Sequence, residues 1–229
     1  MAEDYLTDDE QLEVVKHAFV EYAPWIIGGV LVGAAGFFGY QYYKSYSEGR
    51  ALKAATQFGT MTAALQASDH GKSRQIAEAL IKDYANSPYA DQAQLTLARL
   101  DLDDGHSDQA IAPLTQVMND SKDSELRQIA RLRLARILTD QGKPDEAIKT
   151  LADPIPPSFA ARYHEVRGDA YFVKKDMAHA VTEYQGALAA ADRGGINASL
   201  LELKIQDLGA DPAPSAKAVS VDTLNKAKP

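Results

Sequence analysis

The histidines are the residues of this chain best suited to metal or acid–base chemistry, but their spacing predicts neither. His164 and Glu165 begin the zinc motif H-E-x-x-H, and the second histidine that the motif requires is missing. The segment G-K-S at 71–73 ends like a phosphate-binding loop, yet Gln66 occupies the position of that loop's first glycine. The sequence therefore predicts no catalytic residue, no metal site, no cofactor and no small-molecule substrate, and the chain is not expected to be an enzyme.

The composition excludes further classes of chemistry and of partner. The chain contains no cysteine, so disulfides and thiolate metal sites are excluded. Its formal net charge is -8 at pH 7, and acids outnumber bases most strongly before residue 44. A nucleic acid partner is not expected, because binding to phosphates requires a basic surface.

Two arginines could instead bind a protein partner. Arg99 and Arg136 occupy equivalent positions in two matching segments, 97–111 and 134–148. A guanidinium group can form two parallel hydrogen bonds with a carboxylate, and two such groups in register could also hold an extended peptide. Whether they share a surface depends on the elements that carry these segments.

Those elements are helices, and they repeat along the chain. The two segments share Leu, Ala, Arg, Asp, Gly, Asp, Ala and Ile, and a third copy at 168–181 keeps the same order of small residue, turn and alanine. The alanines that follow the turns recur at spacings of 33, 37 and 33 residues, at Ala77, Ala110, Ala147 and Ala180. Self-similarity near ~34 residues, built as helix–turn–helix, resembles the tetratricopeptide repeat (TPR). The resemblance implies an all-α fold, a TPR-like α-solenoid of antiparallel helix pairs.

Short turn signals divide the chain into helices from Ser47 onward, and no stretch alternates with the period of a strand. Ser73 and Asn197 are predicted near helix starts, and Gly105 and Gly142 near helix ends. The predicted helices span 47–67, 72–85, 88–103, 107–119, 124–141, 144–152, 158–174, 177–191 and 196–208.

In a solenoid of this kind, the first helix of each repeat lines the inner surface. Small residues at Ala98, Ala135 and Gly168 should let the paired helices approach each other closely. The residues that the resemblance places on this candidate groove are Gln92, Arg99, Asp103, Arg136, Asp140, Arg162, Glu165, Asp169 and Phe172. The alternative is a solvated face on which ion pairs within the repeats contribute little, and both interpretations stay open at this point.

Residues 22–43 are predicted to form a transmembrane signal anchor, which makes the lipid bilayer a partner. No charged residue lies between Glu21 and Lys44, a stretch of 22 residues. As a helix this stretch would be about 33 Å long, enough for the ~30 Å hydrocarbon core of a bilayer. A buried core helix is the alternative, but such helices are rarely apolar on all sides over this length.

Gly29, Gly33 and Gly36 lie on one face of the predicted anchor. Small residues spaced in this way let a second membrane helix pack closely, although glycine is also common in membrane helices generally.

The chain is predicted to have four parts: an acidic N-terminal arm at 1–21, the anchor at 22–43, the repeat domain at 47–208 and a disordered tail at 209–229.

Five short segments carry a resemblance to a known family. They are D-E-Q-L-E-V-V-K-H-A-F at 9–19, G-G-V-L-V-G at 28–33, G-Y-Q-Y-Y at 39–43, L-R-L-A-R-I at 132–137 and R-G-D-A-Y at 167–171. The chain resembles the YfgM-like bacterial inner-membrane proteins, which are ancillary subunits of the Sec translocon.

The resemblance implies a single-pass protein of the bacterial cell inner membrane with its C-terminal domain in the periplasm. It implies two protein partners, the Sec translocon subunits and a periplasmic membrane-anchored prolyl-isomerase-like chaperone. The expected function is a scaffold that links the translocon to periplasmic chaperones during protein export.

The positive charges that flank the predicted anchor favour the opposite orientation. Lys16 precedes the anchor, whereas Lys44, Arg50 and Lys53 follow it, and positive residues usually remain cytoplasmic. Large domains can be translocated despite such charges, so the resemblance decides the predicted orientation. The alternative function is a membrane-anchored TPR regulator of an envelope or cytoplasmic signalling protein, and the topology would separate the two.

Overall fold

The computed structural model describes residues 8–152, 154–190 and 195–212, with the backbone alone at 8–15, 17–19, 21, 23 and 26. Within these residues no strand occurs, and the prediction of an all-α chain is confirmed. A short 3₁₀ helix at Pro157–Phe159 precedes α7. The α-helices are α1 (Asp8–Gln66), α2 (His70–Asp83), α3 (Pro88–Asp103), α4 (Ser107–Asp120), α5 (Ser124–Asp140), α6 (Pro144–Thr150), α7 (Ala160–Val173), α8 (Met177–Ala189) and α9 (Ala198–Asp207).

Several of these helices have a polar N-cap residue, whose side chain accepts hydrogen bonds from backbone N–H groups that have no partner within the helix. The predicted start at Asn197 is confirmed, because its Oδ1 accepts a hydrogen bond from Leu200 N at 3.2 Å. The predicted start at Ser73 is wrong. The helix α2 begins directly after Asp69, whose Oδ1 accepts from Lys72 N at 3.0 Å, and Ser73 is buried inside the helix.

The first helix of each repeat ends at a residue with positive φ. Gly105 (φ 79°) and Gly142 (φ 71°) confirm the predicted ends of α3 and α5. Lys175 (φ 68°) holds the same place after α7, where Asp176 N donates a hydrogen bond to Tyr171 O at 3.0 Å. Glycine adopts this conformation without steric cost, whereas lysine adopts it with steric strain.

Each helix from α2 to α9 packs against the next, and the first helices of neighbouring repeats also touch, α3 with α5 and α5 with α7. The recurring alanines Ala77, Ala110, Ala147 and Ala180 are completely buried, which explains why a small residue returns at this spacing. A continuous core joins α3 to α7, with buried residues that include Ala98, Leu114, Val117, Ala130, Leu134, Ala135, Leu151, Tyr163, Val166 and Ala170.

In each repeat a large side chain lies sixteen residues after the small residue of the first helix, within the second helix or directly after its end. These side chains are Leu114, Leu151 and Tyr184, all almost completely buried. Tyr184 is the largest of the three, and it faces Gly168 rather than an alanine. A Cβ atom added at Gly168 would lie 2.5 Å from Tyr184 Cδ1, so only glycine fits beside this ring.

The chain divides into two compact units, Met1–Lys53 and Ala54–Pro229. In the first unit, side chains such as Trp25 and Phe38 are exposed, and a Cβ atom built at Gly29, Gly33 or Gly36 would meet no other atom within 4 Å. In the part of the chain that the structure describes, no helix is long and apolar enough to cross a membrane, so the span predicted at 22–43 is not shown. Residues 1–7 of the predicted arm and 213–229 of the predicted tail lie outside the described residues.

Candidate partner-binding groove

The candidate groove residues lie on the first helices of the three repeats. Gln92, Arg99 and Asp103 lie on α3, Arg136 and Asp140 on α5, and the other four on α7. All nine side chains are exposed or half-buried, and none belongs to the hydrophobic core. This placement is what a binding surface requires, and it is equally compatible with a solvated face.

Arg99 and Arg136 each form an ion pair, Arg99 within its own helix and Arg136 with the first helix of the next repeat. Arg99 Nε lies 3.6 Å from Asp103 Oδ2, one turn further along the same helix. Arg136 Nη2 lies 3.7 Å from Glu165 Oε2, which joins α5 to α7. Both arginines remain close to half exposed or more, at 63% and 47%, so these long ion pairs stabilise the fold by at most about 1 kcal/mol each.

A third arginine, Arg133, belongs to the same surface and was not predicted. It is half-buried, and its Nη1 donates a hydrogen bond to Leu95 O at 3.4 Å. Burial lowers the pKa of Arg133, and the neighbouring charges of Arg99 and Arg136 lower it further. We call these three residues the arginine cluster. Arg133 lies three positions before Arg136 on α5, and this helical spacing is the signal that could have found it.

Asp169 takes part in a contact between three helices. It occupies the position in α7 that Arg99 and Arg136 occupy in α3 and α5. Its Oδ1 accepts hydrogen bonds from Tyr184 Oη at 2.7 Å and from Lys204 Nζ at 2.6 Å, so α7, α8 and α9 meet at one carboxylate. Burial and this bond raise the pKa of Tyr184, which stays a neutral donor.

The remaining candidates lie apart from the arginine cluster. Phe172 is 43% exposed, and Lys175 Nζ lies 5.7 Å from the centre of its ring. Arg162 Nη2 lies 3.7 Å from where a Cβ atom of Gly195 would be. Within the described residues, no side-chain contact joins Gln92, Asp140 or Phe172 to another candidate. The ion pairs thus bring Arg99 together with Asp103 and Arg136 together with Glu165, and Arg133 lies close to both arginines.

His164 is held in an ion-pair network between α7 and α8. Glu183 lies on α8 with its side chain 11% exposed, and its Oε2 lies 2.8 Å from His164 Nδ1. The other oxygen of Glu183 lies 2.7 Å from Arg167 Nη2. Arg167 stands where the earlier repeats have leucine, so this network replaces an apolar contact. Among the described residues, no group of three His, Cys, Asp or Glu side chains could hold a metal ion.

The sequence profile of the tetratricopeptide repeat-like domain matches residues 16–210, which is most of the chain. The chain belongs to this family. The TPR-like family also accounts for the stacked helix pairs and for the buried alanines at their turns. No solved structure matches the chain significantly.

Three curated relatives carry the same name, ancillary SecYEG translocon subunit. The relative from Escherichia coli is 28% identical over 208 residues, and that from Neisseria gonorrhoeae is 26% identical over 207 residues. The relative from Haemophilus influenzae is 24% identical over 203 residues. Each alignment covers 98% of the relative and 89–90% of this chain. The resemblance to the YfgM-like family is confirmed.

Proposed function

We propose that the chain is an interaction scaffold associated with the Sec translocon of the bacterial cell inner membrane. The observation that carries this proposal is the alignment with ancillary SecYEG translocon subunits along 98% of their own length. A TPR-like fold acts by presenting surfaces to other proteins, and its repeats here offer a cluster of exposed cations. The chain then works by binding rather than by catalysis.

The proposed division of labour follows the four parts of the chain. Residues 22–43 anchor the protein as a single membrane span, with the arm 1–21 in the cytoplasm and the repeat domain 47–208 in the periplasm. The 22 uncharged residues before Lys44 support the anchor. Gly29, Gly33 and Gly36 leave one helix face open, which suits close packing against a translocon helix.

The groove is proposed to hold the second partner, a periplasmic membrane-anchored prolyl-isomerase-like chaperone. The arginine cluster supports this role because its cations are opposed by only two weakly paired carboxylates. An acidic segment of a partner could replace Asp103 or Glu165 at little cost to the fold. By holding both partners, the scaffold would keep a chaperone close to the site where exported chains emerge.

A second candidate function is that of a membrane-anchored regulator of an envelope or cytoplasmic signalling protein. Lys44, Arg50 and Lys53 follow the proposed anchor, and they favour a cytoplasmic repeat domain. In that orientation the groove could not reach periplasmic chaperones.

The experiment that separates these functions is site-specific photocrosslinking in native membranes. A photoreactive amino acid replaces Gly33 in the anchor or Arg99 in the groove, and exposed Lys149 on α6 provides the control position. We expect Gly33 to crosslink to a translocon subunit, Arg99 to a chaperone, and Lys149 to neither. Crosslinks to a cytoplasmic signalling protein would establish the regulator instead. If neither Gly33 nor Arg99 crosslinks to a translocon subunit, the scaffold proposal is wrong.

A further inference from the structure

A cleft of about 440 Å³ opens between the start of α3, the end of α4 and the loop that leads into α5. Its volume lies in the range of ~300–1,000 Å³ that is usual for binding pockets. None of the nine groove candidates lines this cleft. It is therefore a separate feature of the repeat domain.

The lining of the cleft is acidic. It includes the carboxylates of Asp91, Asp120 and Asp123 and a single cation, exposed Lys122. Asp91 Oδ2 accepts a hydrogen bond from Ser121 Oγ at 2.7 Å. Asp123 Oδ1 caps α5 by accepting from two of its backbone N–H groups. Among the residues that the structure describes, neither carboxylate has a cation as its partner.

Asp120 is the least engaged of the three acids. It is exposed as the last residue of α4, and its carboxylate makes no hydrogen bond or ion pair with any residue in 8–152, 154–190 or 195–212. The carbonyl groups that end α4 carry a partial negative charge, whereas the N–H groups that begin α3 and α5 at the same cleft carry partial positive charges that oppose it. The excess of three carboxylates over one lysine still leaves the cleft negative. The cleft thus attracts cations and repels anions.

Gln94 provides an independent sign of a missing partner. It lines the cleft and is 5% exposed, and its Oε1 is buried without any hydrogen-bond partner. A buried polar atom of this kind usually destabilises a fold, and folded proteins leave few of them. An acceptor without a donor behind three carboxylates suits a ligand that brings N–H groups, which the oxygen would meet once the Gln94 side chain turns toward the cleft.

We propose that this cleft binds the side chain of an arginine presented by a partner polypeptide. A guanidinium group is planar and offers five N–H donors with one positive charge, so it can serve carboxylates and an amide oxygen together. A metal ion does not fit, because no group of three acidic or histidine ligands in the described residues could hold one. The inference does not rest on the proposed function, since the cleft and the groove share no residue.

The test uses the full chain in detergent micelles and two peptides. The first is acetyl-Ala-Arg-Ala-amide, and the second carries citrulline, a neutral isostere, in place of arginine. Binding is followed by nuclear magnetic resonance titration of the backbone amides. We expect the arginine peptide to shift saturably the amides of residues 86–94 and 116–123, and the citrulline peptide to shift none of them.

Matched variants locate the interaction. Asp120→Asn removes one charge and should weaken binding about tenfold, which corresponds to about 1.4 kcal/mol. Asp207→Asn is the control, because Asp207 also ends a helix, α9, and is exposed outside the cleft. Gln94→Met should weaken binding while the melting temperature holds or rises, because the variant removes the unsatisfied oxygen.

Three results would overturn the proposal. Equal binding of the citrulline peptide would show that the positive charge of arginine does not contribute to binding. Unchanged affinity in both Asp120→Asn and Gln94→Met would place the site elsewhere. Binding of spermidine without binding of the arginine peptide would assign the cleft to small amines rather than to a polypeptide.

Discussion

At the scale of single residues, the arginine cluster is a set of like charges with weak internal compensation. Arg133 is half-buried between Arg99 and Arg136, and the repulsion among the three is not relieved by a short ion pair, since the nearest carboxylates lie at 3.6 and 3.7 Å. An incoming carboxylate would relieve that repulsion and could accept a bidentate hydrogen bond. A carboxylate of a ligand would therefore supply the charge compensation that the cluster lacks within the fold.

The charge reversal Arg99→Glu with Arg136→Glu tests this role. Both side chains lie outside the core, so the free energy of unfolding should change by no more than ~0.5 kcal/mol per site. Loss of a charged contact in a desolvated interface commonly costs ~2–5 kcal/mol, which is more than tenfold in affinity. We expect circular dichroism to show a melting temperature within about 4 °C of that of the natural protein, and co-purification to show loss of the proposed chaperone partner.

The control for this pair is Ala135→Leu, which changes the core rather than the surface. Ala135 is completely buried, and a larger side chain there should cost about 1–3 kcal/mol of stability. It should lower the melting temperature before it affects binding. If the double charge reversal leaves partner association intact, the groove is a solvated face and binding lies elsewhere.

Gly168→Ala tests the close contact between α7 and α8. The new Cβ would lie 2.5 Å from the ring of Tyr184, which is 2% exposed and held by its hydrogen bond to Asp169. Overpacking of this kind costs about 1–3 kcal/mol, which outweighs the ~1 kcal/mol that alanine gains over glycine inside a helix. Thermal unfolding should therefore show a lower melting temperature.

Gly59→Ala is the matched control for Gly168→Ala. Gly59 lies in α1, and a Cβ atom added there would meet nothing within 4 Å. Only the gain in helix propensity remains, so this variant should melt at a higher temperature than the natural protein. The same direction of change in both variants would show that the contact with Tyr184 does not limit the size of residue 168.

At the scale of helices, the third repeat differs from the first two by a set of linked exchanges. Glycine replaces alanine at 168 and tyrosine replaces leucine at 184, so the added volume on α8 is matched by a smaller residue on α7. Arg167 replaces leucine and pairs with Glu183, while Asp169 replaces arginine and binds Tyr184 and Lys204. The third repeat thus ends the series by joining its helices to α9 through polar contacts.

The sequence predicted the helices α2 to α9 well because their signals are local, whereas the start predicted for the helix 47–67 is wrong, because α1 runs unbroken from Asp8 to Gln66. The buried alanines and the glycines at 105 and 142 mark each turn, and α3 spans the predicted residues 88–103. The predicted start at Ser73 is wrong because Asp69, four residues earlier, caps the same helix. Side-chain partners were not predicted, because the pairs of Glu183 and Asp169 join residues that are far apart in the chain and meet only after packing.

Lys175→Gly tests the strained end of α7. Lysine at φ 68° destabilises the folded state by about 1–3 kcal/mol, and glycine at this φ does not. Glycine in turn lowers the free energy of unfolding by about 0.4–1 kcal/mol, because it increases the conformational entropy of the unfolded chain. The balance favours glycine by roughly 1 kcal/mol, or about 2–4 °C in melting temperature for a domain of this size. Differential scanning calorimetry should show this rise.

Lys174→Gly is the control for the strained position. Lys174 has an ordinary helical φ of -66° and an ion pair with Asp145 at 2.7 Å, so glycine at 174 should lower the melting temperature. A fall of similar size in Lys175→Gly would show that the positive φ is not a source of strain.

At the scale of the whole molecule, the orientation of the chain decides which partners the two proposed binding surfaces can reach. Both the arginine cluster and the acidic cleft belong to the unit Ala54–Pro229, on the C-terminal side of the proposed anchor. If that unit is periplasmic, both surfaces face the compartment where exported chains emerge. If it is cytoplasmic, the translocon could still be a partner through the anchor, but a periplasmic chaperone could not.

Protease treatment of spheroplasts decides between these orientations. With an epitope tag before Met1, added protease should digest residues 47–229 and leave a small tagged fragment that contains the arm and the anchor. The charges of Lys44, Arg50 and Lys53 oppose this outcome, but they are few, and a large domain can be translocated despite them. A cytoplasmic protein must stay intact in the same sample, and lysis of the membrane must expose the tag to digestion. If the repeat domain survives until the membrane is lysed, the periplasmic assignment is wrong, and the regulator with a cytoplasmic groove takes its place.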